Sequence, residues 1–586
     1  MCMNDFTTKD EKFSQAIVWA ALFVAGLGAL ARFVFAATLP LFENDATIVF
    51  QAARETLAGR GLSMVQTLPA LILAGLFRIS GESLFVSTLP NLAAGTGSII
   101  LCYYLGSKYW SKSAGAAAAM LCAATPLALA YSSITKPYAL LSFLILLGIW
   151  LWFVAANKSG KTSILIAAPA GLSFAAAFAC HTFAAFAAFP LAGFFIAGVF
   201  SKKHRKLLVP SLVAGLSFGA TLAAVIAWRF PVFGWSIFND YVTDWRFEIA
   251  TMVWSARWEG LTNLFALAPF GIASGLVLFL FGDKGAKNAR PLLVYLAAII
   301  ILDALVYLVN PVNHFPRVLL PSVAPLAILS AIGLMRKDNK LLSMIAASSL
   351  AVIGAAWLAA EIAEAKPLWI GMLHDVSAGK FVFCVALIGL IVALANRFGP
   401  KLAASPIVRA VVLTTIGLST LTFAILHTHT ALNRQVEYFQ GRLKALKACD
   451  SGAGILGGGD IAHLLLPGPN NYSWLTDLPD ELLTEVFTAG LLPTLQKAGV
   501  GCVVVAWRDP EGEQAMILGY AKSRGLPHKE GVNVFQELED NPEIIDVYAT
   551  DKFSSYVMPW FEKTPHQFEQ RIRLYSPLWQ SGIWER

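Results

Sequence analysis

Two carboxylates stand close together directly after the first apolar stretch of the chain. Glu43 and Asp45 are two residues apart in the segment 41–57, LFENDATIVFQAARETL. In an irregular loop either acid could face a cleft, although a single acid beside a membrane span is more often a solvated helix end. The apolar residues that follow recur at helical spacing, which predicts a helix lying along the bilayer surface.

Basic and imidazole side chains are predicted on the same side of the membrane as these acids. They are Lys136, His181, His314 and Arg317. Beside an acid, isolated cations could hold an anionic head group, and the guanidinium of Arg is a planar fork that matches phosphate oxygens. A lone His at a helix end is more often a structural hydrogen-bonding residue, so both interpretations of the two histidines stay open.

Two other charged residues lie within apolar spans. Asp303 would be costly inside a membrane, so it is either a functional residue or the source of a stabilising hydrogen bond in the helix bundle. Arg32 is close enough to the end of the first span for its guanidinium to extend outward to the membrane surface.

The elements that must position these residues are membrane helices. Of the 586 residues, 57% are hydrophobic and only 14% are charged, and the mean hydropathy is +0.63. This composition excludes an ordinary soluble protein and indicates a polytopic α-helical membrane protein. A span needs about 20 apolar residues, and thirteen stretches qualify: 15–38, 84–106, 113–131, 137–156, 162–180, 182–200, 207–229, 261–281, 291–310, 317–335, 341–362, 380–396 and 407–427.

The distribution of Lys and Arg sets the predicted orientation. With the N-terminus in the cytoplasm every inner loop is basic, whereas the outer cations are sparse and mostly isolated. An odd number of spans then places the C-terminus outside. We expect a membrane domain over residues 1–430, with two long outer loops at 39–83 and 229–260.

The second of these outer loops is crowded with aromatic side chains, among them Trp235 and Trp245. Amphipathic rings of this kind settle at the level of the lipid head groups. The loop is therefore either an interfacial belt or a lip over a lipid or sugar site.

The composition changes in the last part of the chain, residues 431–586, where acidic residues outnumber Lys and Arg. Short apolar strand candidates at 453–456, 500–506, 532–538 and 544–548 alternate with helix-like stretches, which predicts a small α/β domain on the outer side. Its glycines at 457–459 belong to no GxGxxG motif or P-loop, so we expect no nucleotide site there.

Seven cysteines are scattered along the chain without CxxC or Cys/His spacing, so neither a structural zinc site nor a redox motif is expected. Four of them lie in apolar runs and are expected to be small buried hydrophobic residues. Cys449 and Cys502 lie in the polar C-terminal region, and they could form a disulfide if that region faces an oxidising compartment.

Several motifs follow one another in a recognisable order between residues 15 and 340. They are the acidic ENDA with its helix IVFQAARETL, then TLPALILAGLFRISG, ATPLALAYSSITKPYALLSFLILL, ACHTFAAFAAF and HFPRVLLPSVAPLAIL. This order resembles the GT-C superfamily of integral-membrane glycosyltransferases, in particular the bacterial family 39 branch of dolichyl-phosphate-mannose-protein mannosyltransferases and aminoarabinose transferases.

The resemblance implies a GT-C fold of about 13 transmembrane helices in a bacterial inner membrane, followed by the extracytoplasmic domain. It also implies the activity of these enzymes. They transfer a hexose or pentose from a polyprenyl-phosphate donor, with inversion, to a glycolipid, polysaccharide or protein acceptor on the outer face. Membrane lipids are the expected surroundings, and no nucleic acid is expected. The expected reaction uses no cofactor, or it depends weakly on a divalent cation.

The same resemblance assigns roles to residues. Asp45, or Glu43 in its place, corresponds to the general base, and Arg317, Lys136 and His314 to the groups that bind the donor phosphate. Substrate contacts are expected from His181, Tyr138, Trp235 and Trp245. The acid that often precedes the ARPYAL-like motif is Ile134 here, so a metal or second-base role for that position is not expected.

The physical chemistry of transfer agrees with these roles. Positive charge is needed where the phosphate of the leaving lipid develops negative charge, and a positioned carboxylate supplies general-base help. The main alternative is a secondary transporter or flippase of a lipid-linked or small anionic substrate, for which an internal repeat and paired broken helices are expected. A non-catalytic scaffold, or a family member whose altered acidic motif is inactive, is a third possibility.

Overall fold

The computed structural model describes residues 4–38, 46–57, 67–233, 290–309 and 319–334, together with parts of the chain after residue 416. Twelve helices in the membrane part are described. They are α1 (Asn4–Thr38), α2 (Ala46–Leu57), α3 (Thr67–Ser80), α4 (Leu84–Tyr109), α5 (Lys112–Ala124), α6 (Pro126–Ser132), α7 (Tyr138–Ala156), α8 (Gly160–Cys180), α9 (Phe189–Phe200), α10 (Leu208–Phe233), α11 (Arg290–Val309) and α12 (Leu320–Leu334). Two 3₁₀ helices, Thr182–Ala188 and Lys202–Leu207, precede α9 and α10.

Five helices in the described ranges are long and apolar enough to cross a membrane: Gln15–Ala37, Phe85–Tyr109, Tyr138–Ala156, Gly160–Cys180 and Lys202–Ala227. The bent pair Lys112–Ala124 and Pro126–Ser132 would be a sixth span. The predicted polytopic helical fold is confirmed by these elements. The predicted spans at 261–281, 341–362 and 380–396 lie outside the described residues, so the count of thirteen stays a prediction.

The core of the bundle is organised around α5, whose sequence KSAGAAAAMLCAA is buried on almost every side. Small side chains allow neighbouring backbones to approach closely, as is usual between membrane helices. A Cβ placed on Gly106 of α4 would lie 2.6 Å from the Cα of Gly115 in α5, and one on Gly28 of α1 would lie 2.9 Å from the Cβ of Ala123. The Ala and Gly content of α5 therefore lets α1 and α4 pack against it.

The predicted amphipathic helix after the acidic pair is confirmed as α2. Its apolar face packs on α3, where the Phe50 and Phe77 ring centroids are 4.6 Å apart. At the edge of this face the guanidinium of Arg54 lies over the ring of Phe50, 4.9 Å from its centroid, and its Nε lies 2.9 Å from a carboxylate oxygen of Glu82. The helix is thus held beside the start of α4, directly after the acids of the first long loop.

A four-stranded sheet forms in the C-terminal region from β1 (Gly454–Gly457), β2 (Val500–Ala506), β3 (Ile545–Ala549) and β4 (Phe553–Val557). The strand order is β1-β2-β4-β3; β1 and β2 are parallel, and the other pairs are antiparallel. Two helices, α13 (Asp480–Thr488) and α14 (Leu491–Lys497), supply an apolar cluster together with Val500 and Val503. Strands and helices thus both occur in this region, and the predicted outer α/β domain with its boundary at 430/431 stays a prediction.

Candidate active site

The site is built around a break between α5 and α6, whose axes differ by 66°. The break falls at Thr125, and Pro126 is the first residue of α6. Proline has no N–H and cannot continue the hydrogen-bond ladder of the preceding helix. The last carbonyl groups of α5 therefore need other donors.

Arg32 of α1 supplies these donors, and its side chain is fully buried. Its Nη1 donates hydrogen bonds to the carbonyl oxygens of Gly28 at 2.9 Å and Ala123 at 2.8 Å, and its Nη2 donates to that of Cys122 at 3.2 Å. Its Nε donates to the hydroxyl of Ser132 in α6 at 3.3 Å. The expectation that Arg32 extends outward was wrong, because the broken helix provides acceptors inside the bundle.

Residues 133–137 connect α6 to α7 without helical structure, and we call them the buried connector. Ser133, Thr135 and Lys136 are each at most 4% exposed. The backbone polar groups of such a buried segment must find partners in the protein. The hydroxyl of Ser133 donates to the carbonyl oxygens of Leu129 at 3.0 Å and of Arg32 at 3.3 Å.

The side chain of Asn91 in α4 holds the connector from the other side. Its Nδ2 donates to the carbonyl oxygens of Ile134 at 2.7 Å and Lys136 at 2.5 Å. Its Oδ1 accepts a hydrogen bond from the backbone N–H of Leu140, in the first turn of α7, at 3.2 Å. The buried side-chain amide of Asn91 makes all three bonds, so this residue fixes both the connector and the start of α7.

A second contact between α4 and the connector joins the hydroxyls of Ser87 and Thr135 at 2.7 Å. Both residues, with Asn91, line a small cavity that is otherwise apolar. Val49, in the first turn of α2, lines the same cavity. Because α2 begins at the residue after Asp45, the start of this helix and the connector lie at one site.

Three of the residues predicted to bind substrate lie in the connector or beside the start of α7. Lys136 is 1% exposed, and a buried cation in a membrane bundle is costly enough to indicate a functional role. Tyr138 follows two residues later, and its ring centroid lies 5.7 Å from that of His181, the residue after α8. Tyr131 contacts Tyr138 edge to face, also at 5.7 Å.

The remaining predicted site residues lie outside the described residues. They are Glu43, Asp45, Trp235, Trp245, His314 and Arg317. Their assigned roles stay predictions.

Asp303 is described, and it is fully buried in α11. Its Oδ2 accepts a hydrogen bond from the hydroxyl of Ser322 in α12 at 2.5 Å. This contact favours the second of the two interpretations of Asp303, a hydrogen bond that stabilises the helix bundle.

Asn91 and the position of Arg32 were missed by sequence reasoning. An Asn among the small residues of LPNLAAGTGS gives no signal by itself, because its three partners are backbone groups far along the chain. The proline of ATPLALAYSS was a signal that could have been used, since it marks the break and hence the need for a donor.

Comparison with known proteins gives three kinds of match. The family of dolichyl-phosphate-mannose-protein mannosyltransferases matches residues 67–228, which include Asn91, the connector and His181. A putative mannosyltransferase, YkcB of Bacillus subtilis, is 39% identical over 104 residues; this stretch is 18% of the chain and 13% of that protein. The match thus spans a small part of the curated relative.

Solved structures match over nearly the whole chain. ArnT from Cupriavidus metallidurans, bound to undecaprenyl phosphate, has a TM-score of 0.56 and 11% identity and covers 93% of this chain and 99% of its own. The apo form of ArnT gives 0.54. The chain has the GT-C fold of integral-membrane glycosyltransferases. The resemblance recognised in the sequence is therefore confirmed.

A second protein with the GT-C fold is similar over a smaller share of its length. The Archaeoglobus fulgidus oligosaccharyltransferase tethered to an acceptor peptide has a TM-score of 0.50 and 12% identity, over 86% of this chain and 71% of its own. At such identities the likeness is one of fold.

Proposed function

We propose that this protein is a membrane glycosyltransferase that moves a sugar from a polyprenyl-phosphate donor to an acceptor on the outer face of the cytoplasmic membrane. The observation that carries the proposal is the buried connector within a GT-C fold: it contains the cation Lys136, which is 1% exposed, and it leads into Tyr138, whose ring centroid lies 5.7 Å from that of His181. The ArnT structure with the same overall fold contains undecaprenyl phosphate, which supports a lipid phosphate as the donor.

The proposed reaction is a single displacement. The acceptor hydroxyl oxygen attacks the anomeric carbon of the sugar as the bond from that carbon to the phosphate oxygen breaks, so the configuration inverts. Asp45, with Glu43 as the second candidate, takes the proton from the acceptor. The departing polyprenyl phosphate keeps the electron pair.

Lys136 and Arg317, with His314, stabilise the charge that develops on the leaving phosphate. Preorganised positive charge in a site that excludes water is usually the largest electrostatic contribution to catalysis. His181, Tyr138, Trp235 and Trp245 contact the sugar or the lipid. The reaction as proposed needs neither a nucleotide nor a metal ion, and the sugar is a hexose or pentose.

The proposed orientation places residues 431–586 outside the cytoplasm. Cys502 in β2 takes part in a disulfide, and disulfides persist in oxidising compartments and are rare in the cytosol. This supports an outer location for the C-terminal region, where it could bind the acceptor or cover the site.

The test measures thermal unfolding of the purified full-length protein with undecaprenyl phosphate and with a panel of undecaprenyl-phosphate sugars. A ligand that binds the native state raises its apparent stability by about 2.7 kcal/mol at a concentration of 100 times Kd. We expect a shift that is lost in Lys136→Met and Arg317→Ala and kept in Arg78→Gln, an exposed cation in the last turn of α3. Sugar transfer is then measured with the donor that gives the largest shift.

No shift with any lipid phosphate, in a protein that unfolds cooperatively, would contradict the proposal. The transporter alternative predicts binding of the lipid without sugar transfer. The GT-C fold does not favour a transporter.

A further inference from the structure

We infer that Asn91 is a positioning residue for donor binding, and that it acts through Lys136. This inference rests on the proposed function, because it concerns how Lys136 is presented to the donor phosphate. Asn91 is 2% exposed, and no sequence motif marks it. Its role follows from the three hydrogen bonds that it makes to the connector and to α7.

The geometry makes the position of Lys136 depend on one amide. Asn91 Nδ2 donates to the carbonyl oxygen of Lys136 itself and to that of Ile134 two residues earlier, while Oδ1 accepts from Leu140 four residues later. A connector outside helical structure has no ladder of its own to hold these groups. The Cα of Lys136 is therefore fixed by the side chain of a different helix.

Further hydrogen bonds hold the connector, with Arg32 of α1 on one side and with Ser87 of α4 on the other. Ser132 and Ser133 are tied to Arg32, and Thr135 is tied to Ser87. A flexible lysine side chain loses conformational freedom when it binds a phosphate. A rigid backbone at Lys136 lowers that loss, so binding should weaken when the clamp is removed even if Lys136 is intact.

The deciding experiment is a double-mutant cycle on the full-length protein, with undecaprenyl phosphate as the probe. Asn91→Asp keeps the size of the side chain and the acceptor for Leu140, but it places an oxygen where Nδ2 faced two carbonyl oxygens. We expect the dissociation constant to rise about ten- to a hundredfold, because Lys136 would no longer be placed to make its charged hydrogen bond to the phosphate. Lys136→Met should have an effect of similar size.

The double variant separates positioning from a merely structural role. If Asn91 acts through Lys136, adding Asn91→Asp to Lys136→Met should weaken binding by no more than about threefold, because coupled residues are not additive. Ser98→Ala is the matched control, since its hydroxyl donates to the carbonyl oxygen of Ala94 in the same helix. It should bind as wild type does.

Each outcome decides the matter. Losses that multiply in the double variant, or wild-type affinity in a folded Asn91→Asp protein, would overturn the inference and leave the proposed function standing. Absence of binding to wild type, or wild-type affinity in Lys136→Met, would overturn both. If Asn91→Asp does not fold, the cycle is repeated with Thr135→Val, which removes only the hydroxyl contact to Ser87, and additive losses there would overturn the inference.

A second inference rests on a different observation, the charge at the other end of the bundle. Between Ser83 and Asn239 the chain contains no Asp or Glu. Eight cations of this stretch are exposed in three turns, and we call them the basic rim: Lys108, Lys112, Lys158, Lys161, Lys202, Lys203, Arg205 and Lys206.

Two contacts bring these three turns to one end of the bundle. The rings of Tyr109 and Phe153 are 4.8 Å apart, which joins the α4–α5 turn to the end of α7. Trp152 Nε1 donates to the hydroxyl of Ser211 at 3.1 Å, which joins the end of α7 to the start of α10. The rim is thus continuous, and no acid of its own stretch neutralises it.

We propose that the basic rim binds the head groups of anionic phospholipids in the adjacent leaflet, since juxtamembrane clusters of Lys and Arg attract such lipids. The test is lipid retention in native mass spectrometry and thermal stability with phosphatidylglycerol or phosphatidylcholine. We expect phosphatidylglycerol to be retained preferentially, and Lys202→Gln with Lys203→Gln to lower its affinity about threefold or more. Equal retention of the two lipids, or phosphatidylglycerol affinity that salt and these substitutions leave unchanged, would overturn the proposal.

Discussion

The guanidinium of Arg32 donates a hydrogen bond to the carbonyl oxygen of Ala123, in the last turn of α5, over a distance of 2.8 Å from Nη1. A cation is favoured at the C-terminus of a helix, where carbonyl groups lack partners and the helix dipole is negative. The same side chain reaches Ser132 beyond the break. One residue of α1 thus determines how α5, α6 and the connector meet.

Arg32→Ala should therefore destabilise the protein strongly. It leaves the buried carbonyl groups of Cys122 and Ala123 without donors, and each unsatisfied group costs about 1–3 kcal/mol. Arg32→Lys should be intermediate, because an ammonium lacks the planar fork that spans the break. The measurement is thermal unfolding in detergent, with Lys161→Ala as the exposed control. An unchanged Tm in Arg32→Ala would show that the break is held by other contacts.

Close packing of α4 against α5 predicts a second effect on stability. A Cβ on Gly115 would lie 2.4 Å from the carbonyl oxygen of Tyr103, so Gly115→Ala must push the two backbones apart. Overpacking of this kind costs about 1–3 kcal/mol. Gly193→Ala in α9 is the matched control, because no atom of the described residues lies within 4 Å of its added Cβ. It should leave the Tm unchanged or raise it, since Ala is the better helix former.

The helices of this protein could be predicted because their signal is local. Apolar length alone gave α4, α7 and α8 to within a few residues. It also gave the C-terminal end of α1, but that helix begins at Asn4 and not at the predicted residue 15. The strand Phe553–Val557 was missed, because its central serines break the alternation that marks a strand and its pairing with β2 is a tertiary effect.

The site was predictable only in part, for a related reason. Lys136, Tyr138 and His181 could be singled out because charge and aromatic character are visible in an apolar sequence. Asn91 could not, because its importance lies in bonds to carbonyl groups that every residue possesses. The charge of Arg32 could be recognised in the sequence. The direction of its side chain could not, because the acceptor carbonyl groups lie at a helix break about ninety residues away.

The pair of Asp303 and Ser322 predicts a structural phenotype. Ser322→Ala removes the donor to a buried carboxylate and should cost about 1–3 kcal/mol. Asp303→Asn keeps an acceptor for Ser322 and should retain both stability and sugar transfer. Thermal unfolding and the transfer assay measure the two effects separately. A loss of transfer in a stable Asp303→Asn protein would return Asp303 to the list of functional residues.

The two acids of the first long loop should differ in their effect on turnover. If Asp45 is the general base, Asp45→Asn should lower kcat by about 10²- to 10⁴-fold while donor binding persists. Glu43→Gln should have a smaller effect. The readouts are initial rates of transfer and the thermal shift with the donor lipid. The reverse ranking would assign the base to Glu43, and full activity of the double variant would remove both acids from the mechanism.

The disulfide of Cys502 provides a test of topology that needs no activity assay. Cys102, Cys122 and Cys180 are free thiols, so three of the seven cysteines are excluded as its partner. Of the remainder, Cys449 is the one predicted in the same region, and we expect a Cys449–Cys502 peptide in a digest prepared without reductant. Cys502→Ser should lower stability by about 2–4 kcal/mol, and reductant should do the same to wild type only. Because such a bond persists outside the cytosol, protein isolated with both thiols reduced and fully stable would argue that the C-terminal region faces the cytoplasm.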